Sequence, residues 1–512
     1  MGQPGKLAEE RSNAKIFSGE PWNFYYITKP HLSDDEREFI ALIEESVLAD
    51  YTAHDLEIMM LKDKKREKFI EKVNDLLRGL REKVGVFSGS EEDRQLIIEK
   101  VSDFIGKHAP FVEQRDYVVG AIVKDMVGLG RLSDLLEDGY LEEIMVNGPA
   151  KKVFVYDRTH GLCETNVEFE DDAQIQFLVK KISDYVKKDV STEQPLIDAR
   201  LPDGSRVNAT IPPASPKGTS ITIRKFRKKP ITITELIASG TLTSDLAAFF
   251  WMAIEGLHVY PANFVIAGGT GSGKTSTMNA LSVFIPPHER LVTIEDTLEL
   301  NLYDRENWIQ LEARPGIGAK PLEMNDLLVN SLRMRPDRVL VGEVRGPEAN
   351  TMFIAMDTGH QGVMSTLHAN TGRETILRLQ SAPMSVPNAL FSLLDLVVVQ
   401  HRMYHPKKGL VRKVVEVSEA SVMEDKVLLS NLYNYDRDAD AIKRSSLPSR
   451  YFERLSYYTG LSINDVRDEH TARKLVLDYL VKKKIFDYQT IRQMAFDYYS
   501  DPEKVIKKIG TA

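Results

Sequence analysis

The sequence of 512 residues contains a single cysteine, Cys163. No disulfide can close within it, and a zinc site built on cysteines is excluded. Long apolar runs are missing as well. The best, Ala389 to Val399, falls short of the about 20 residues that a membrane-spanning helix needs, and Asp395 interrupts it. The segment MGQPGKLAEERS lacks the apolar core of a signal peptide, and Lys6 stands where N-myristoylation requires Ser or Thr. A basic excess is also absent. Lys and Arg number 67 against 75 Asp and Glu, a net charge of −8, whereas nucleic-acid binders usually carry a basic domain. These absences point to the cytoplasm, to membrane contact only through a partner, and to no nucleic-acid ligand. What is present, 42% hydrophobic and 28% charged residues, is the balance of a globular protein, and the length suits roughly two to four domains.

Residues 1–30 read as loop-like, apart from the aromatic cluster Trp22, Phe24, Tyr25 and Tyr26. That cluster fits either a strand on the first core or a docking patch on a mobile leader. Ser33 and Glu36 form a capping box for a helix whose apolar residues Phe39, Ile40, Ile43 and Val47 recur at helical spacing. A charged helix over 55–83 and a helical stretch over 91–129 follow. From Gly130 the pattern changes to a short helix, a hairpin punctuated by Asn147-Gly148 and His160-Gly161, and a helix around 171–188. ARLPDGSRVNATIPP and ITIRKF then read as strands, with Asp203-Gly204 as a turn. Lys228-Lys229-Pro230 marks a domain boundary. Beyond it apolar strands (FVIAG, LVTIED, RVLVGEV, GVMSTLHA, LLDLVVVQ) alternate with helices, which predicts a parallel sheet covered on both faces. Residues 431–512 read as mostly helical and charged. The expected domains are 1–128, a helical leader region; 129–228, an α+β domain; 229–430, an α/β domain; and 431–512, a helical appendage.

Gly268-Gly269-Thr270-Gly271-Ser272-Gly273-Lys274-Thr275 matches G-x-x-x-x-G-K-[ST], with an apolar strand before it and a helix, opening at Ser276, after it. Glycines let successive N–H groups turn onto phosphates, and the helix N-terminus adds partial positive charge. Lys274 reaches the β- and γ-phosphates in such loops, and the Thr275 hydroxyl ligates Mg²⁺. Such a loop needs a carboxylate at the end of a neighbouring strand. Two strands end in acids, LVTIED at Glu295 and Asp296 and RVLVGE at Glu343. Either alone is weak evidence; in this order after the loop they reinforce each other. TGHQG and STLHAN add His360 and His368, which suggests a γ-phosphate or water sensor.

GGTGSGKT, TIEDTLEL, VLVGEVRG and TGHQGVMSTLHAN, in this order, resemble the Walker A, Asp box, Walker B and His box of the secretion ATPase superfamily of type II and type IV secretion and type IV pilus motors. GRLSDLLEDGYLEEIMVNGP is similar to that family's N-terminal domain, so the resemblance extends over about residues 130–420. The lone cysteine rules out the tetracysteine insertion of bacterial assembly ATPases. SLRMRPDRVLVGEVRGPEA and RETILRLQSAPMSVPNAL look like the archaeal branch, most of all the motor ATPase of the archaellum.

The resemblance implies a fold of class α/β: a C-terminal RecA-like P-loop ATPase domain plus an N-terminal α+β domain with leading helices. It implies a homo-hexameric ring that hydrolyses ATP with Mg²⁺ to drive a polytopic membrane platform protein, alongside accessory motor proteins. Nucleotide would lie on residues 268–276. Glu295 would be the general base, Glu343 would act through the Mg²⁺ shell, His368 would sense the γ-phosphate and His360 would support the same edge. Arg200, Arg206 and Arg224 are the candidates for positive charge from outside the RecA-like core. The archaeal pilus and secretion ATPases are the alternative branch. A nucleic-acid motor is a weaker one, since RKFRKK at 224–229 is the only dense basic run. The aromatic leader is the expected grip on membrane-platform partners.

Overall fold

The computed structural model describes residues 4–52, 64–84, 90–226, 229–303, 305–314, 321–406 and 408–510. The chain is a mixed α/β protein in two compact units, Met1–Arg227 and Lys228–Ala512, each with its own nine-stranded sheet.

The first unit opens with three strands, not with a loop. β1 (Leu7–Glu10), β2 (Ala14–Phe17) and β3 (Asn23–Ile27) form an antiparallel meander. Ala14, Ile16, Tyr25 and Ile27 are buried while Lys15 and Tyr26 are not, a period-two pattern that Phe24, buried on the opposite face of β3 from Tyr25, interrupts. Four helices follow: α1 (Asp34–Thr52), α2 (Lys64–Arg81), α3 (Glu91–His108) and α4 (Arg115–Val127). They share a core that includes Phe39, Ile43, Leu77, Val101, Phe104 and Val118. The capping box is present: the Glu36 N–H donates to Ser33 Oγ at 3.2 Å and the Ser33 N–H to Glu36 Oε2 at 2.8 Å. The other Glu36 oxygen accepts the N–H groups of Glu113 and Gln114 at the start of α4. The helical stretch expected over 91–129 is made of two helices, because Pro110 forces Ala109 out of helical geometry (φ −130°, ψ 57°).

After α5 (Ser133–Glu137) come β4 (Leu141–Asn147), β5 (Lys152–Asp157), β6 (Gly161–Glu168), α6 (Asp172–Val186), β7 (Leu196–Arg200), β8 (Arg206–Thr210) and β9 (Ser220–Arg224). The sheet order is β1-β2-β3-β6-β5-β4-β9-β8-β7. β3 thus joins β6 in parallel, with Asn23 opposite Cys163. Residues 7–27, expected within a helical leader, are strands of the same sheet as residues 141–224. The aromatics that suggested a docking patch are taken up inside it. Phe24 and Tyr25 are buried, and Trp22 stands edge-on to Phe154 with its Nε1–H on Glu164 at 3.1 Å. Between β1 and β2, the Arg11 guanidinium donates to Asp157 at 2.7 Å, Asp138 at 3.2 Å and Glu9 at 2.9 Å. Asp138 and Asp157 are buried acids, so the meander is bolted on by charge as well as by backbone pairing.

In the second unit, α7 (Ile233–Ala238) and α8 (Ser244–Glu255) precede β10 (Phe264–Ala267), α9 (Lys274–Leu281), β11 (Leu291–Glu295), β12 (Trp308–Glu312), α10 (Met324–Ser331), β13 (Arg338–Val341), α11 (Glu348–Asp357), β14 (Met364–Leu367) and α12 (Gly372–Gln380). β15 (Leu396–His405), β16 (Gly409–Met423), β17 (Lys426–Asp436) and β18 (Ala441–Arg444) complete the sheet in the order β12-β11-β13-β14-β10-β15-β16-β17-β18. β10 to β15 are mutually parallel and the rest are added antiparallel. Every residue of β10, β13 and β14 is buried, as their apolar runs predict for strands covered on both faces. The half-buried edge strand β12 has no such run and was missed. The helical end starts later than residue 431: strands continue to Arg444, and α13 (Arg450–Thr459), α14 (Ile463–Lys482), α15 (Tyr488–Ser500) and α16 (Pro502–Gly510) follow. A fully buried pair, Arg473 on α14 and Glu255 on α8 at 2.9 Å, ties these helices to the sheet layer.

Candidate active site

The loop between β10 and α9 turns in a way that only glycine takes without strain. Gly271 and Gly273 have φ of +71° and +93°. A methyl group on Gly268 would lie 2.3 Å from the Gln400 carbonyl oxygen and 2.5 Å from Ser272 Oγ. Lys274 opens α9 and is buried; its Nζ donates back to the carbonyls of Gly268 at 2.9 Å and Gly269 at 3.4 Å. Burial holds its pKa below the ordinary lysine value, with Glu343 opposing that shift. Thr275 is half-buried, Thr270 and Ser276 are exposed, and the buried Ser272 hydroxyl has no protein partner.

Because the strands are parallel, β11, β13 and β14 deliver their C-terminal residues to the same edge as this loop. Glu295, the last residue of β11, is 1% exposed. Its Oε2 accepts the N–H groups of Glu299 at 2.6 Å and Leu300 at 2.8 Å, while its Oε1 is buried without a partner. Burial pushes its pKa up to about 7. Gly342 leaves it room: a methyl there would meet Glu295 Cγ at 2.9 Å. Glu343 follows directly. Its Oε1 lies 2.8 Å from His368 Nε2, and its Oε2 accepts Arg345 Nε at 2.9 Å. Arg345 also reaches the exposed Asp296 at 3.5 Å. Burial, and then the Lys274 charge, hold His368 below the ordinary histidine pKa.

The structure therefore gathers Lys274, Glu295, Glu343 and His368 at one edge. It does not bring His360 there. β14 (364–367) lies between the two histidines and runs beside β10, so His360 precedes the strand's start and His368 follows its end. His360 instead closes α11 with its N–H on the Ala355 carbonyl. Arg200, Arg206 and Arg224 belong to the first unit. There they stand abreast: Arg200 is opposite Arg206 across β7 and β8, and Arg206 is opposite Arg224 across β8 and β9. Arg224 is exposed and donates to Glu143 at 3.4 Å.

Two residues that sequence reading did not single out hold the loop from below. Gln400 on β15 donates through Nε2 to the Ser272 carbonyl at 2.8 Å and accepts from Thr277 Oγ1 at 2.8 Å. Arg412 on β16 donates through Nε to the Gly271 carbonyl at 3.0 Å. A neutral Gln that closes the apolar run of β15 carries no signal of its own. Only its position beside β10 does.

The glycine cradle, the buried lysine and the unpartnered Ser272 hydroxyl suit a polyphosphate, and the unpartnered Glu295 Oε1 suits a donor such as water beside it. Among the described residues there is no cluster of His, Cys, Asp and Glu able to cage a metal alone. The oxygen donors Thr275 and Glu343 fit a hard cation shared with phosphates.

The family model described as "Type II/IV secretion system protein" matches residues 125–442. The chain belongs to that family. Among family relatives, uncharacterized protein MJ0781 of Methanocaldococcus jannaschii is 48% identical over 240 residues, 46% of this chain and 33% of its own length. This chain thus spans only a third of that relative. The probable conjugal transfer protein TrbB of Sinorhizobium fredii is 32% identical over 291 residues, 55% of this chain and 85% of its own. Among solved structures, the VirB11 ATPase of the Brucella suis type IV secretion system, in complex with sulphate, is 29% identical, covering 56% of this chain and 92% of that one, with a TM-score of 0.30. Among the described residues no helix is long and apolar enough to cross a membrane.

Proposed function

We propose that this chain hydrolyses ATP and, as a homo-hexameric ring at the cytoplasmic side of a membrane, powers assembly of an archaeal type IV pilus-like filament such as the archaellum through a polytopic platform protein. The observation that carries the catalytic part is the convergence of Lys274, Glu295, Glu343 and His368 around the glycine loop. The N–H groups of residues 269–275, that of Ser272 excepted, and the Lys274 ammonium hold the β- and γ-phosphates; Lys274 exchanges the Gly268 carbonyl for phosphate oxygen. Glu295 Oε1 takes a proton from water as the water oxygen attacks the γ-phosphorus and the bond to the β,γ-bridging oxygen breaks. A base with a pKa of about 7 is matched to neutral pH. His368, kept neutral, places a ring nitrogen at the γ-phosphate edge. Bound Mg²⁺, held by the Thr275 hydroxyl and through water by Glu343, would neutralise phosphate charge. Arg200, Arg206 and Arg224 supply further positive charge to the transition state.

The test is steady-state phosphate release with and without Mg²⁺. Glu295→Gln keeps shape but loses the base, so ATP should bind and persist, with turnover down about 10²–10⁴-fold. Wild-type turnover in that variant would transfer the role to Glu343. Kinship with a conjugal transfer protein favours a second reading, a protein-secretion motor of the same family. A gene deletion separates them: loss of filaments and motility supports the first, loss of an exported protein the second.

A further inference from the structure

Gln400 is 1% exposed and uses both ends of its amide, one on the loop backbone and one on α9. Its strand is irregular just here. Val399 pairs with Glu416 but Gln400 with Val414, so one extra residue of β16 bulges at this step. Bulges re-aim side chains and recur beside active sites. A trans peptide sends its C=O and N–H in opposite directions. With the Ser272 carbonyl fixed on Gln400, the Gly273 N–H is turned away from β15. The preceding carbonyl, that of Gly271, is fixed by Arg412, and the Ser272 N–H closes the turn on the Gly269 carbonyl at 3.2 Å.

We infer that Gln400 is a positioning residue for nucleotide binding: by capturing the Ser272 carbonyl it aims the Gly273 N–H at the phosphates. This rests on the reading that the loop binds polyphosphate. The residue does not touch the reacting atoms, so its loss should weaken binding of ground and transition states alike. The KM for ATP should rise while kcat holds.

The experiment is calorimetric titration of the full-length protein with ADP, for wild type, Gln400→Met and Gln400→Glu, together with KM and kcat for ATP. Gln400→Met removes both bonds at nearly constant volume and should raise the ADP dissociation constant roughly tenfold, the scale of one lost charge-facing hydrogen bond. Gln400→Glu sets a carboxylate against the Ser272 carbonyl at pH 8 but, protonated at pH 5.5, can donate to it again. Its affinity relative to wild type should therefore recover on acidification. Wild-type ADP affinity in the Met variant, or a loss in the Glu variant that is the same at both pH values, would overturn the inference. Failure of the polyphosphate reading looks different: wild type itself would not bind ADP, or Lys274→Ala would bind it as well as wild type.

Discussion

The two oxygens of Glu295 face different surroundings, one pinned by two backbone N–H groups and one buried and unpartnered. This has two pH consequences. As the base it must be deprotonated, so kcat/KM for ATP should rise through a pH of about 7 in a profile from roughly pH 5.5 to 8.5. Its raised pKa also costs stability. Between the ordinary value of 4.5 and about 7 the folded chain holds this proton more tightly than the unfolded one, so stability falls as pH rises through that window. The full cost, on the order of 3 kcal/mol, is present above it. Urea unfolding should accordingly show Glu295→Gln gaining on wild type between pH 5 and pH 8. Lys274→Ala should abolish detectable ADP binding by calorimetry, since the loop loses its side-chain cation. The residues at this edge were legible because the glycine loop and the strand-terminal acids form short, ordered patterns. Gln400 was not: its bond to Ser272 spans 128 positions and exists only through strand order. His360 was misread although the strand GVMSTLHA was read correctly: a strand carries the residues before its start and after its end to opposite edges of the sheet, so the two histidines cannot share one.

At the level of elements, the β1–β3 meander is the main departure from expectation. Its strands are four or five residues long, too short for alternation to stand out, and the β3–β6 pairing leaves no local trace in the sequence. The apolar strands of the second unit were readable because burial on both faces demands unbroken runs. Arg11 offers the sharpest test of the meander. Arg11→Ala strips the buried Asp138 and Asp157 of their shared cation, though Tyr25 still donates to Asp138. The loss should be about 3 kcal/mol, read as a lower urea midpoint, with Arg11→Lys intermediate. Deleting residues 1–20 should for the same reason destabilise the first unit, rather than remove a docking arm and spare the fold.

For the whole molecule, the boundary read at Lys228-Lys229-Pro230 falls where the two compact units meet in the chain. The row of Arg200, Arg206 and Arg224 could not be read from spacing, because it depends on the register of β7, β8 and β9. Like charges placed abreast repel, which a bound anion relieves. If these arginines close over nucleotide, light scattering should show assembly growing on addition of a non-hydrolysable ATP analogue. Arg206→Ala should blunt that growth more than it weakens ADP binding. A strictly monomeric protein of full activity would sink the ring. The same sheet also has a schedule. Asn23 bonds the backbone of His160, 137 positions later, and Arg11 awaits Asp157. At a synthesis rate of about 5–20 residues per second, the meander leaves the ribosome on the order of ten seconds before its partner strand exists. For that interval its apolar faces and open strand edges have no mate, which makes nascent residues 7–27 a natural client for a chaperone at the tunnel exit.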